Sequence, residues 1–179
     1  MTLNEAKVLL SKNSISFELC EFQNEAEYLH HTMLFPYTKN TERCKVIAII
    51  IRSKNKKKNI ELQFNAVDDI FRFEELWFGN YYYEMFDVKN EFLADDLLAR
   101  IVEIKSGNFT VISANDIRKK CWLGDAYFAR NDDDVFFGEP GFQKTIQRIQ
   151  KPKGFFAKIS RSVKQYEIYD WNTYQCIIK

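Results

Sequence analysis

The chain is poor in the residues that make reactive or ligand-cradling loops: its 179 residues include six glycines, three prolines, two histidines and four cysteines. No GxGxxG, Walker-type glycine loop or GxSxG elbow occurs, which removes the commonest dinucleotide, nucleoside-triphosphate and serine-hydrolase signatures. Cys20, Cys44, Cys121 and Cys176 lie far apart with no CxxC spacing, so no zinc-ligand or dithiol pattern is present. With no secretion signal ahead of them, they are expected as reduced thiols in a cytoplasmic protein. His30 and His31 are adjacent, about 100° apart on a helix, and are not expected to face one site together. The NDDD run at 131–134 lacks the glycine and distal glutamate of a calcium loop. Neither metal nor cofactor is expected.

Charge of one sign is also missing. Twenty-six bases balance 25 acids for a net +1, so no global field draws in nucleic acid, and binding has to come from local patches. The longest apolar run, Val46 to Ile51, is about a third of the roughly 20 residues a membrane helix requires, and reads as a buried strand.

What remains is a globular composition with an excess of rings. Hydrophobic residues at 46% with 28% charged exclude a disordered chain, and aromatics reach 16%. The length fits one domain over residues 1–179, burying roughly 70% of its unfolded surface. Thr2 and Glu5 form a capping-box pattern ahead of a helix to about Lys12, and Ile15, Phe17 and Leu19 then alternate with polar residues as a half-buried strand. Asn24 caps a second helix running toward Met33, stopped by Pro36. Cys44 to Arg52 is β-branched on both parities, the mark of a strand covered on both faces and a candidate sheet centre. After a lysine loop, Ile60, Leu62 and Phe64 alternate with Glu61 and Gln63 as the returning strand. Asn90 to Lys105 is the longest helix, with Leu93, Leu97, Ile101 and Ile104 on one face and Gly107 as its stop. Strands follow near Phe109 to Ile112 and Trp122 to Phe128, then a helix after Pro140 through Phe142, Ile146 and Ile149. The tail reads as two short strands around a turn at Trp171 to Thr173, closing the sheet at or near its edge. The expected architecture is α+β: a mainly antiparallel sheet of about six to eight strands with helices packed on one side.

The most informative stretch is FRFEELWFGNYYYEMF, residues 71–86, which places eight aromatic rings and three glutamates in sixteen residues. Gly79-Asn80 suits a II′ turn, giving a hairpin that pairs Arg72 with Asp87, Phe73 with Phe86 and Glu75 with Glu84. The opposed glutamates predict a bulge or an intervening cation. One face of such a hairpin meets water, so some of Trp77, Phe78 and Tyr81 to Tyr83 are expected at the surface. Exposed rings beside carboxylates suit a protein partner with basic groups. The candidate partner-binding residues are therefore Glu74, Glu75, Trp77, Tyr81, Tyr82, Tyr83 and Glu84, joined by Asp132, Asp133 and Asp134; the Asp95-Asp96 helix face is a third acidic segment. The competing reading, in which the rings fill the core and the acids only solubilise, stays open.

Three other readings compete with this one. Lys54, Lys56, Lys57 and Lys58, with Lys119 and Lys120, suit phosphate contacts of a nucleic-acid-associated accessory protein, although a basic hairpin tip is usually a solvated anti-aggregation device. A small Cys-His hydrolase needs a contact that spacing does not supply. Glu75 and Glu84, if opposed, also have the look of a glycosidase acid-base pair, but two glutamates in one hairpin are far more often surface groups or a docking point for a partner's lysine or arginine.

The opening LNEAKVLLSKNSISFELCEFQNEAEYLHHT, the block ELQFNAVDDIFRFEELWFG and the closing QYEIYDWNTYQCIIK together resemble a small immunity-protein family encoded beside bacterial polymorphic toxins. The resemblance spans nearly the whole chain but includes no short diagnostic motif, and it assigns no catalytic residue. It implies a cytoplasmic antidote, not an enzyme, that binds a cognate protein toxin one to one, with a monomer favoured and neither nucleic acid nor membrane as partner. Inhibitors of nuclease toxins tend to be acidic overall; the neutrality of this chain points either to a different toxin activity or to acidity confined to one face.

Overall fold

The computed structural model of the chain describes residues 1–34, 44–79, 92–151 and 162–179, and the backbone of 81–83. Its elements are α1 (Leu3–Lys12), β1 (Glu18–Phe22), α2 (Glu25–Thr32), β2 (Val46–Ile51), β3 (Ile60–Val67), β4 (Ile70–Phe78), β5 (Tyr81–Tyr83), α3 (Leu93–Ser106), β6 (Phe109–Asp116), β7 (Cys121–Ala129), α4 (Glu139–Gln150), β8 (Lys164–Tyr169) and β9 (Tyr174–Ile178). The fold is α+β, and every strand pair is antiparallel.

The strands form two sheets rather than the single one expected, a five-stranded sheet in the order β1-β2-β3-β4-β5 and a four-stranded sheet in the order β7-β6-β8-β9. The tail strands β8 and β9 pair with β6, which builds the second sheet locally, and β9 lies at its edge. Nor do the helices keep to one side. Ala6 and Leu10 of α1 and Leu93, Leu97, Ile101 and Ile104 of α3 share a core with Ile49, Leu62 and Phe78 of the first sheet and Phe109, Val111 and Tyr169 of the second. Tyr28, Leu29 and Met33 pack α2, or the residue that ends it, on the opposite face of the first sheet, over Val46, Ala48, Ile50 and Trp77. Phe142 and Ile149 of α4 cover the far face of the second sheet.

The local signals explain the elements. Thr2 Oγ1 accepts from the Glu5 amide at 3.3 Å while Glu5 returns a carboxylate oxygen to the Thr2 amide at 2.7 Å, a full capping box. Asn24 caps α2 through the Glu27 amide, and Gly107 ends α3 in the left-handed region at φ 82°. The Pro36 stop lies outside the described residues. β2 is buried at every position, as its composition requires, although β3 occupies the sheet's centre. Leu19, expected on a half-buried face, is exposed, because β1 is an edge strand whose inner residues are Cys20 and Phe22. Glu61 and Gln63 are buried despite their alternation with apolar neighbours, since α2 covers the face they occupy.

Candidate functional site

The β4–β5 turn has the expected register, with Leu76, Trp77 and Phe78 opposite Tyr83, Tyr82 and Tyr81, and Gly79 at φ 61°. Of the rings expected at the surface, Trp77 and Phe78 do not reach it, and the side chains of Tyr81, Tyr82 and Tyr83 lie outside the described residues. Trp77 is 2% exposed and Phe78 fully buried. Trp77 lies edge-on to Tyr28, 6.3 Å between centroids, and donates its indole N–H to Gln63 Oε1 at 3.3 Å. Phe78 packs edge-on against Tyr169 at 5.3 Å, and the Tyr169 hydroxyl donates to the Phe78 carbonyl at 3.0 Å. At its Leu76–Phe78 end both faces of β4 are covered, one by α2 and one by the second sheet, so Trp77 is a core residue and not an anchor. Phe73 N–H donates to the Met1 carbonyl at 2.9 Å and Arg72 bridges Thr2, while Phe86 and Asp87, their expected partners, lie outside the described residues. A bulge does occur, but between β3 and β4, where Glu75 pairs with Gln63, Phe73 pairs with Phe64 and exposed Glu74 is the extra residue. Glu84, and with it the Glu75–Glu84 pairing, lies outside the described residues.

Exposed rings next to carboxylates occur instead at Asp132 to Asp134, in the connection from β7 to α4. Val135, Phe136 and Phe137 there are 63%, 71% and 57% exposed. The loop is held in one shape from within. Asp134 Oδ1 accepts from the amides of Phe136 at 2.8 Å and Phe137 at 2.6 Å, which holds the Asp134 carboxyl below its ordinary range. Asp132 Oδ1 accepts from the Asp134 amide at 3.0 Å, and the Asp132 carbonyl accepts from Glu139 at 2.9 Å. The Phe137 carbonyl ties back to the Ala129 amide at 2.8 Å. Two glycines make this closeness possible: a Cβ on Gly138 would collide with the Asp132 carbonyl, and one on Gly141 with the Phe136 carbonyl. Phe137 stacks on Tyr127 at 5.7 Å, and Tyr127 on buried Phe109 at 5.3 Å, so an exposed ring is braced by the core. Phe136 is the most exposed of the three. Sequence reasoning named the three aspartates and missed the VFF triplet directly after them, an apolar run with neither helical nor strand periodicity inside an acidic turn.

The titratable groups converge elsewhere, in a cleft of about 430 Å³ where the end of α2 meets the loop before β3 and the strand β8. His30 and His31 both line it, contrary to expectation, because the cleft wraps the last turn of the helix. Glu61 is buried there, 3.8 Å from His31 Nε2, and accepts from the Thr32 hydroxyl at 3.2 Å. Burial raises its carboxyl above the usual range, partly countered by His31 and by Thr32. The Tyr28 hydroxyl is buried beside Glu61 and Thr32 without a well-formed hydrogen bond. On the other wall Glu167 binds Lys58 Nζ at 2.9 Å and the Tyr174 hydroxyl at 2.7 Å. The described residues lining the cleft include no cysteine, and among the described residues no three His, Cys, Asp or Glu side chains are placed to hold a metal ion.

Lys58 is thus committed to an ion pair, and the lysine loop is docked on the second sheet. Asn55 donates to the Asp170 carbonyl at 2.5 Å, and its own Oδ1 collects the amides of Lys57 and Lys58, each at 2.8 Å. Lys54, Lys56 and Lys57 remain exposed. Among the described residues no helix is long and apolar enough to cross a membrane. Compared with family models, curated proteins and solved structures, the chain finds no match.

Proposed function

We propose that this protein is an immunity protein that neutralises a cognate bacterial toxin domain in the cytoplasm by direct binding, without catalysis. The observation that carries the reading is the β7–α4 loop, where Phe136 and Phe137 stand in water on a backbone already fixed by Asp132, Asp134, Gly138 and Gly141. Large rings presented without further ordering are the economical way to gain affinity, because the entropy of fixing the loop is lost on folding and not on binding. Asp132 to Asp134 remain in the site, now with Phe136 and Phe137 as its anchors; Trp77 leaves it. The test is co-expression with the product of the adjacent open reading frame: protection from its toxicity is expected, and a toxic product against which this chain gives no protection ends the reading.

Nucleic-acid binding through Lys54 to Lys58 is the weaker alternative, because Lys58 is neutralised by Glu167 and three exposed lysines on one hairpin tip give a small footprint. Filter binding at low salt with duplex DNA and RNA decides it, and a strongly salt-dependent complex would favour it.

A further inference from the structure

We infer that the β7–α4 loop is a plug, and that the surface it enters on its protein partner is a recess with an apolar floor and a lysine- or arginine-bearing rim. This deepens the binding reading and rests on it. Residues 130–139 include four acids (Asp132, Asp133, Asp134 and Glu139) against one base, Arg130, a local charge of 1 − 4 = −3 in a chain whose net charge is +1. Arg130 Nε is bound to Glu139 at 3.1 Å, and its guanidinium lies over the Phe142 ring at 4.7 Å, so this base faces α4 and pairs with the one glutamate of the group. The three aspartates lie exposed at the loop surface beside Val135, Phe136 and Phe137.

That combination selects among occupants. Phosphates of nucleic acid and the headgroups of anionic lipid are both repelled by the aspartates. Rings left 57% and 71% exposed at a loop tip do not enclose a small molecule. A cationic protein surface gains twice: its lysines or arginines pair with Asp132 and Asp133, and its apolar floor takes the Phe136 ring out of water. The two parts act at different stages of binding. Rim charges act on the encounter and govern the association rate, whereas a desolvated ring governs how long the complex lasts.

The experiment is selection of a random-peptide phage library on the immobilised full chain, followed by surface plasmon resonance of the enriched peptides on three proteins. Peptides combining lysine or arginine with aliphatic or aromatic residues are expected. On Phe136→Ser they should dissociate at least about tenfold faster with the association rate little changed. On Asp132→Asn/Asp133→Asn they should associate more slowly, with much of the dependence on ionic strength gone and dissociation little altered. Phe136 and both aspartates are exposed, and Asp132→Asn keeps an Oδ1 to accept the Asp134 amide, so the variants should keep the parent's melting temperature, and the double-asparagine protein still tests the rim if the serine variant does not fold. Enrichment of acidic or uncharged peptides, equal binding by all three proteins, or no enrichment at all would overturn the plug. None of these results bears on co-expression, where protection by a protein whose loop has been neutralised would remove the plug and leave the antidote standing.

Discussion

Single buried carboxyls set how this fold responds to pH. Asp125 on β7 is largely buried, with Oδ1 lacking a hydrogen-bond partner, and desolvation outweighs hydrogen bonds from Ser113 and Trp122, so its pKa is pushed up to about 6 from 3.8. A carboxyl whose folded value is raised favours folding below its unfolded value, and that contribution disappears as pH climbs through the folded value. Asp125→Asn is therefore expected to match the parent at pH 3.5 and to exceed it by on the order of 2 kcal/mol above pH 7, read from urea unfolding at the two pH values. Gly79 carries a constraint of the opposite kind. Its φ of 61° suits glycine, and a Cβ would sit 2.8 Å from the Tyr169 ring. Gly79→Ala should cost about 2–4 kcal/mol, combining backbone strain with displacement of a packed tyrosine, and thermal unfolding would measure it.

At the scale of the element, the β7–α4 loop illustrates how a connection becomes a rigid presenter. Gly141→Ala forces the Phe136 carbonyl away and should reduce partner affinity even though no contacting side chain is touched. Peptides selected on the parent are expected to bind this variant at least about fivefold more weakly, and unchanged binding would show that the loop's shape is not needed. Acid acts on the same loop through Asp134. Its lowered pKa means that its amide bonds persist above 3.8 and are lost as pH falls through the shifted value, so the Phe136 and Phe137 amide resonances should titrate together below that point in NMR spectra. Helices and their ends were legible in the sequence because their determinants are local: Thr2 with Glu5, the Leu93-Leu97-Ile101-Ile104 stripe, and Gly107. What covers a strand face was not legible. Glu61, Gln63 and Trp77 have the alternation of a solvated face, and only the arrival of α2, 29 to 49 residues away in the pairs Thr32–Glu61 and Tyr28–Trp77, buries them.

Over the whole molecule, two sheets are joined by an apolar core and by polar fasteners of long sequence separation. Lys58 and Glu167 pair at 2.9 Å with both side chains largely buried, and Asn55 binds the Asp170 carbonyl from the same loop. Strand parity does not say to which sheet a strand belongs; β6 pairs with β8 across the whole of α4, so the division into two sheets was invisible in the sequence while the strands themselves were not. Removing one member of a buried ion pair leaves a stranded charge, and Lys58→Met should destabilise by about 3–5 kcal/mol. Adding Glu167→Gln to it should restore part of that loss, and a double-mutant cycle in urea reads the coupling. If the double variant is no more stable than the single, Lys58 acts by packing and not by neutralising Glu167.

The burial of Trp77 under α2 has a practical consequence for following this protein in solution. Trp77 and Trp171 are 2% and 5% exposed, whereas Trp122 is 37% exposed, so the three indoles sample three different environments. Acrylamide should quench the Trp122 emission first, leaving a blue-shifted remainder that comes from Trp77 and Trp171. Replacing Trp122 by phenylalanine would then leave a label-free optical gauge whose red shift reports α2 lifting from the first sheet or the Trp171 turn loosening, with no dye attached to the loop.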